Sequence, residues 1–229
     1  MARKKRNLPT LRKRMRTSVL RLLEACPVGT ADASVFEARC ASWNYASVGR
    51  NVSGLAAIAE LPRFFASRTE QVGCRSIVGI GTTHEKEIDV IDKITTEAAY
   101  VALSPQILWN LGFRLGMEER SMCVPANMLG CFSGAFNGAV FHRTLHLMPN
   151  PEEWIESAKE VAKAWIYVSL DTISTRKMKS TEAVWLRQHF QGWQTWLYDF
   201  AKMEYVTADS DDGVLAAMGT HPTFLFLRR

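Results

Sequence analysis

Apolar residues recur at three- and four-residue spacing along most of the chain, the period of a helix with one buried face. Pro9 and Thr10 mark a helix start, and the positions Leu8, Leu11, Met15, Val19 and Leu22 predict a helix that Cys26-Pro27-Val28-Gly29 ends. Further helices are predicted over residues 32–50 and 52–67, the latter kinked or ended by Pro62. Residues 76–81 read as a short strand or extended turn. Thr82 with Glu85 three residues later has the capping-box pattern, and Ile88, Ile91, Ile94, Ala98 and Val101 form the stripe of the helix it would open. Ser104-Pro105 stops that stripe, and a helix through Ile107, Leu108, Leu111 and Leu115 follows, with Gly116 near its C-cap.

In the second half, Pro125 leads into Ala126, Gly130, Gly134, Gly138 and His142, spaced every four residues. On a helix this row would be a groove of small side chains that lets a neighbour approach closely, with Phe132, Phe136 and Phe141 on other faces. Asn150-Pro151-Glu152-Glu153 supplies a cap, a first-turn proline and acids at the positive dipole end of a helix running through Trp154, Ala158, Val161, Trp165 and Val168. The longest predicted helix spans residues 181–205 on the stripe Leu186, Phe190, Trp193, Leu197 and Phe200. Together these elements predict an all-α, multi-helix globular body. It divides into a basic N-terminal arm (1–23), an N-terminal helical lobe (24–103), a C-terminal helical lobe (104–213) and an apolar C-terminal arm (214–229).

Composition fits a packed core, since 47% of the residues are hydrophobic and 22% charged. Charge changes the picture more. Residues 1–23 hold nine of the 28 cations and none of the 23 acids, so the rest of the chain is net acidic. Five cysteines without a C-x-x-C pair argue against a disulfide framework and a zinc ribbon. The basic start is not followed by an apolar signal-peptide core, so a cytoplasmic or nuclear rather than secreted protein is expected.

Arg3, Lys4, Lys5, Arg6, Arg12, Lys13, Arg14, Arg16 and Arg21 are the expected nucleic-acid contacts, because neutralising phosphates releases condensed counterions. Arg176, Lys177 and Lys179 offer a second phosphate contact. Trp185 and Trp196 lie off the stripe of the last long helix and are candidates for a stacking or partner surface. Phe224, Leu225, Phe226 and Leu227 alternate so that two phenylalanines face one way and two leucines the other, a segment suited to a groove on a neighbouring copy.

Other signals carry less chemistry. Gly79-Ile80-Gly81-Thr82-Thr83 before a helix resembles a phosphate-binding loop, but the third glycine and a following Gly-Lys-Thr are missing, and Glu85, Glu87 and Asp89 oppose phosphate. His142 and His146 sit four apart without a third ligand, so no metal site and no cofactor are expected. His84 and His189 have no partner that the sequence nominates. The expectation is a non-enzymatic RNA-binding and packaging protein of nucleocapsid or coat type, assembling as a homo-oligomer through its arms. The alternatives are a matrix-like or adaptor protein on anionic membranes, and an enzyme with a site dispersed through the helices.

Overall fold

A computed structural model describes residues 53–68, 73–82, 84–103, 107, 116–170, 176–208 and 222–229. It is built on a mixed sheet of eight strands: β1 (Ser76–Ile80), β2 (Glu97–Ala102), β3 (Ser121–Cys123), β4 (Phe136–His142), β5 (Ala162–Ser169), β6 (Gln194–Asp199), β7 (Glu204–Thr207) and β8 (Thr223–Leu227). Their order is β3-β2-β1-β4-β5-β8-β6-β7. The first five run parallel, whereas β8 lies antiparallel between β5 and β6, and β7 closes a hairpin with β6. The all-α expectation is therefore corrected to an α/β sandwich.

Helices cover both faces. On one side α1 (Ser53–Ala66) and α2 (Glu85–Ile94) bury Leu55, Ile58, Leu61, Phe65, Ile88 and Ile91 against Ile77, Tyr100, Val140, Trp165, Tyr167, Leu225 and Leu227. On the other, α3 (Ala126–Leu129), α4 (Pro151–Val161) and α5 (Arg176–His189) bury Leu129, Trp154, Ile155, Ala158, Leu186 and neighbouring Phe190 against Phe141, Ile166, Val168, Phe224 and Phe226. Covered on both faces, the inner strands are continuous apolar runs: all five residues of β1 and of β8 are buried.

Three predicted helices turn out to be helix followed by strand. The helix begun at Glu85 ends at Ile94, because Thr95 is extended, its hydroxyl donating to the Arg75 carbonyl at 2.6 Å and accepting from the Glu97 amide at 3.1 Å. Ala98 and Val101 then belong to β2. The helix begun at Pro151 keeps its N1 proline and first-turn acids but passes at Ala162 straight into β5, whose Trp-Ile-Tyr-Val run suits a pleated surface. The 181–205 helix gives way after His189 to a turn at Gly192 (φ +84°) and the β6–β7 hairpin, where the Asp199 carboxylate accepts from the amides of Ala201 and Lys202.

The glycine row is no helix either. It runs through α3, a 3-10 turn over Gly130–Phe132, a left-handed turn at Gly134 (φ +59°) and β4. Close approach does occur at Gly138, where a Cβ would run into the indole of Trp165 on the neighbouring strand.

Candidate functional site

In an open sheet of this type the ligand crevice lies outside the carboxyl ends of the strands, where the strand order reverses. Here the reversal falls between β1 and β4. β1 leaves the sheet through Gly81, whose φ of +75° favours glycine and whose amide donates to the Val101 carbonyl at 2.8 Å. A Cβ on Gly81 would lie 2.7 Å from Met148 Cε, 2.8 Å from Thr144 Oγ1 and 3.0 Å from Leu103 Cδ1. Only a glycine lets β1 turn toward α2 so close to the residues that follow β4.

The start of α2 differs from the expected capping box. His84 is the cap, its Nδ1 accepting from the Lys86 amide at 3.1 Å. Thr82, fully buried, instead donates its hydroxyl to Glu87 Oε1 at 2.9 Å. Burial pushes the Glu87 carboxyl up to about 8, opposed by the Thr82 hydrogen bond. At neutral pH this carboxyl is mostly protonated, which removes the charge that would oppose an anion here.

Across the reversal, His142 ends β4 and Arg143 and Thr144 follow it, all three buried. Arg143 has a φ of +57°, and its amide donates to the carbonyl (3.0 Å) and the hydroxyl oxygen (3.1 Å) of Ser169 at the end of β5. His142 Nδ1 lies 3.1 Å from the same Ser169 Oγ, and Thr144 donates to the Ile80 carbonyl at 3.3 Å. The first turn of α1 sits directly on this cluster. A Cβ at Gly54 would be 2.7 Å from His142 Cε1 and 3.3 Å from Ser169 Oγ, and the Gly54 carbonyl accepts from the Tyr167 hydroxyl at 2.6 Å. Burial raises the Tyr167 phenol above its ordinary value, so it stays a neutral donor.

Among the described residues the ends of β2 and β3 carry no acid: β2 ends on Ala102 with Leu103 after it, and β3 ends on Cys123 with Val124 after it. Ala102 stands 21 residues beyond Gly81, near where folds of this kind place the carboxylate that holds ribose hydroxyls.

The residues nominated from sequence lie elsewhere. Arg3, Lys4, Lys5, Arg6, Arg12, Lys13, Arg14, Arg16 and Arg21 fall outside the described residues. Arg176, Lys177 and Lys179 belong to the first turn of α5 rather than to a loop. Trp185 is on α5, its ring 4.6 Å from that of His189. Trp196 is on β6, against Phe64 and beneath the Arg68 guanidinium at 4.2 Å. Phe224, Leu225, Phe226 and Leu227 form β8, fully inside the sheet of their own chain, so none is left for a neighbour's groove. His142 and His146 share no helix, since one ends β4 and the other lies in the 3-10 turn Leu145–Leu147. Neither Thr144 nor Ser169 is nominated by the sequence, and Glu87 enters there only as a charge that opposes phosphate. The signal for this site is the glycine turn after β1, whose missing third glycine, missing Gly-Lys-Thr and neighbouring acids argue against a phosphate-binding loop in the sequence.

No family model matches the sequence, and no curated protein matches it. Solved structures do. A chain of the complex between the Haloferax volcanii Trm112 methyltransferase activator and the putative methyltransferase aligns with a TM-score of 0.59 at 9% identity, covering 86% of this chain and 99% of that one. The plantazolicin methyltransferase BpumL, in complex with a pentazolic desmethylPZN analog and SAH, aligns at 0.55 and 12% identity over 96% of this chain and 99% of its own. Its complex with SAH alone gives 0.53 at 13% identity. The chain thus has the Rossmann-like fold of these methyltransferases. This overturns the nucleocapsid, coat and matrix expectations and the expectation of a non-enzyme, because the fold is one that its neighbours use for enzymes. Among the described residues no helix is long and apolar enough to cross a membrane.

Proposed function

We propose that the protein is an S-adenosylmethionine-dependent methyltransferase whose cofactor and methyl acceptor meet in the crevice between the ends of β1 and β4. The observation that carries this reading is the whole-length match in fold to BpumL, a methyltransferase solved with SAH. When bound, S-adenosylmethionine supplies a methyl group on a positively charged sulfur.

The described residues fit such a cofactor in backbone shape. Gly81 opens the turn, and the buried hydroxyls of Thr82, Thr144 and Ser169 gather at the strand ends. They do not fit in charge, since Ala102 replaces the expected ribose-binding carboxylate. No bond-making step is therefore assigned to individual residues; their contribution is to shape the crevice and exclude water from it. That same departure favours a second reading, in which the chain keeps the fold and has lost the cofactor.

Calorimetric titration with S-adenosylhomocysteine separates the two. The first reading expects saturable binding of one equivalent per chain. Absence of heat at millimolar ligand, from protein with an intact cooperative melt, would overturn it and leave the second.

A further inference from the structure

The sheet has a second end, remote from the crevice. β8 runs antiparallel to β5, so its start at Thr223 meets Ser169 beside the crevice and its end at Leu227 emerges at the far rim. Arg228 and Arg229 follow there, next to Gln194 at the start of β6, which pairs with Leu227, and Thr207 at the end of β7. The eight residues of β5 separate the two rims, a span on the order of 25 Å at about 3.3 Å per residue.

Trp193 stands at the centre of this rim. The turn at Gly192 carries the chain from α5 into β6, and the Trp193 amide donates to the Phe190 carbonyl at 3.1 Å. The half-buried indole lines two adjoining hollows. One is a cleft of about 160 Å³ that reaches Gln194, Trp196, Thr207 and Arg229. The other, of about 310 Å³, shares Arg187 and Trp193 with it.

Guanidinium groups gather on the two indoles. Arg228 lies over the Trp193 ring at 4.9 Å and is anchored by a hydrogen bond from Nη2 to the Lys159 carbonyl. Arg68 lies over the Trp196 ring at 4.2 Å. Among the described residues that line either hollow there is no Asp or Glu, although the chain beyond residue 23 is net acidic. The buried Trp196 Nε1 has no hydrogen-bond partner. Buried donors are normally paired, and a ligand in the cleft that Trp196 lines offers this one an acceptor.

These are the parts of a nucleotide site. Guanidiniums bind phosphate through paired N–H donors, indoles stack on flat bases, and amide and hydroxyl side chains such as Gln194 and Thr207 pair with base edges. A bare phosphate or carboxylate would leave the indoles unused, and an apolar ligand would leave the arginines unmatched. We infer that the far rim is a second binding site, which takes a nucleoside monophosphate unit with its base on Trp193 and its phosphate at Arg187 and Arg229. The site is separate from the crevice and does not rest on the methyltransferase reading. A free mononucleotide and the phosphorylated end of a nucleic-acid chain present the same chemistry.

Calorimetric titration of the full chain with adenosine monophosphate, adenosine and inorganic phosphate tests this. The monophosphate binds saturably, about tenfold or more tighter than either fragment, because a charge-assisted contact adds to the stacking. Arg229→Gln, at an exposed position, removes most of that advantage and leaves adenosine affinity and melting temperature unchanged. Trp193→Leu weakens nucleoside and nucleotide alike, and Trp193→Phe, which keeps an aromatic face, restores both. A short single-stranded oligonucleotide with a terminal phosphate is titrated beside the monophosphate, and the tighter of the two names the source. The inference is overturned if the monophosphate gives no saturable heat, if adenosine binds as tightly, or if Arg229→Gln or a folded Trp193→Leu binds like the parent. Competition between S-adenosylhomocysteine and the monophosphate would overturn it as well. S-adenosylhomocysteine binding without monophosphate binding defeats this inference alone, and the converse defeats the methyltransferase reading alone.

Discussion

Gly138 and Glu87 are the two residues whose chemistry is most constrained by their surroundings. At Gly138 the indole of Trp165 occupies the space a Cβ would need, between two largely buried parallel strands. Gly138→Ala is therefore expected to cost about 1 to 3 kcal/mol or more, the range for overpacking, read as a lower denaturation midpoint at unchanged m-value. An unshifted midpoint would mean that the strands pair in another register. Glu87 makes a statement about pH. Its folded carboxyl sits near 8 and the ordinary value is 4.5, so between these pH values the folded state holds a proton that the unfolded state has released. Stability contributed at this site is present below the unfolded value and falls as pH rises through the window, by up to about 1.4 kcal/mol per pH unit. The difference in stability between the parent and Glu87→Gln should accordingly move in favour of the glutamine variant from pH 5 to pH 8. A difference that stays flat, or moves the other way, would show the carboxyl to be ionised and paired.

At the level of elements, β8 decides what the C-terminus is for. Phe226 stacks on Phe190 with centroids 3.8 Å apart and planes within 6°, and β8 is hydrogen-bonded on both sides. Phe226→Ala should cost roughly 3 to 5 kcal/mol with no change in association state, measured by denaturant unfolding and light scattering. Dissociation of an oligomer without loss of stability would restore the linking-arm expectation. The same strand shows what could be read in advance. The opposite facing of its phenylalanines and leucines was visible in the alternation, whereas its partner was not, because an apolar run bounded by polar residues looks alike at a sheet centre and in a groove. Helix starts were legible at Pro151 and near Glu85, where a first-turn proline and first-turn acids act locally, although Asn150 makes no side-chain cap bond and His84 rather than Thr82 caps α2. Helix ends were not. Trp165 and Val168 continue the helical spacing of Trp154, Ala158 and Val161, although the chain has already become β5.

For the whole molecule, the obstacle was the architecture itself. A parallel sheet covered on both faces gives its strands no polar face, so β1, β4 and β5 lack the alternation that distinguishes a strand from a buried helix. The crevice was half legible: the Gly79-Ile80-Gly81 turn marked it, but the residues that complete it, Thr144, His142 and Ser169, lie more than sixty positions away and converge only through the sheet order. The central claim is that this convergence is a ligand site for an adenosyl cofactor. Hydrogen exchange of the full chain with and without saturating S-adenosylhomocysteine addresses it most directly. The account predicts slowed exchange concentrated at residues 80–87, 102–103 and 142–145, with β6, β7 and the far rim of β8 unchanged. Unaltered exchange at the strand ends, or protection confined to the far rim, would contradict it.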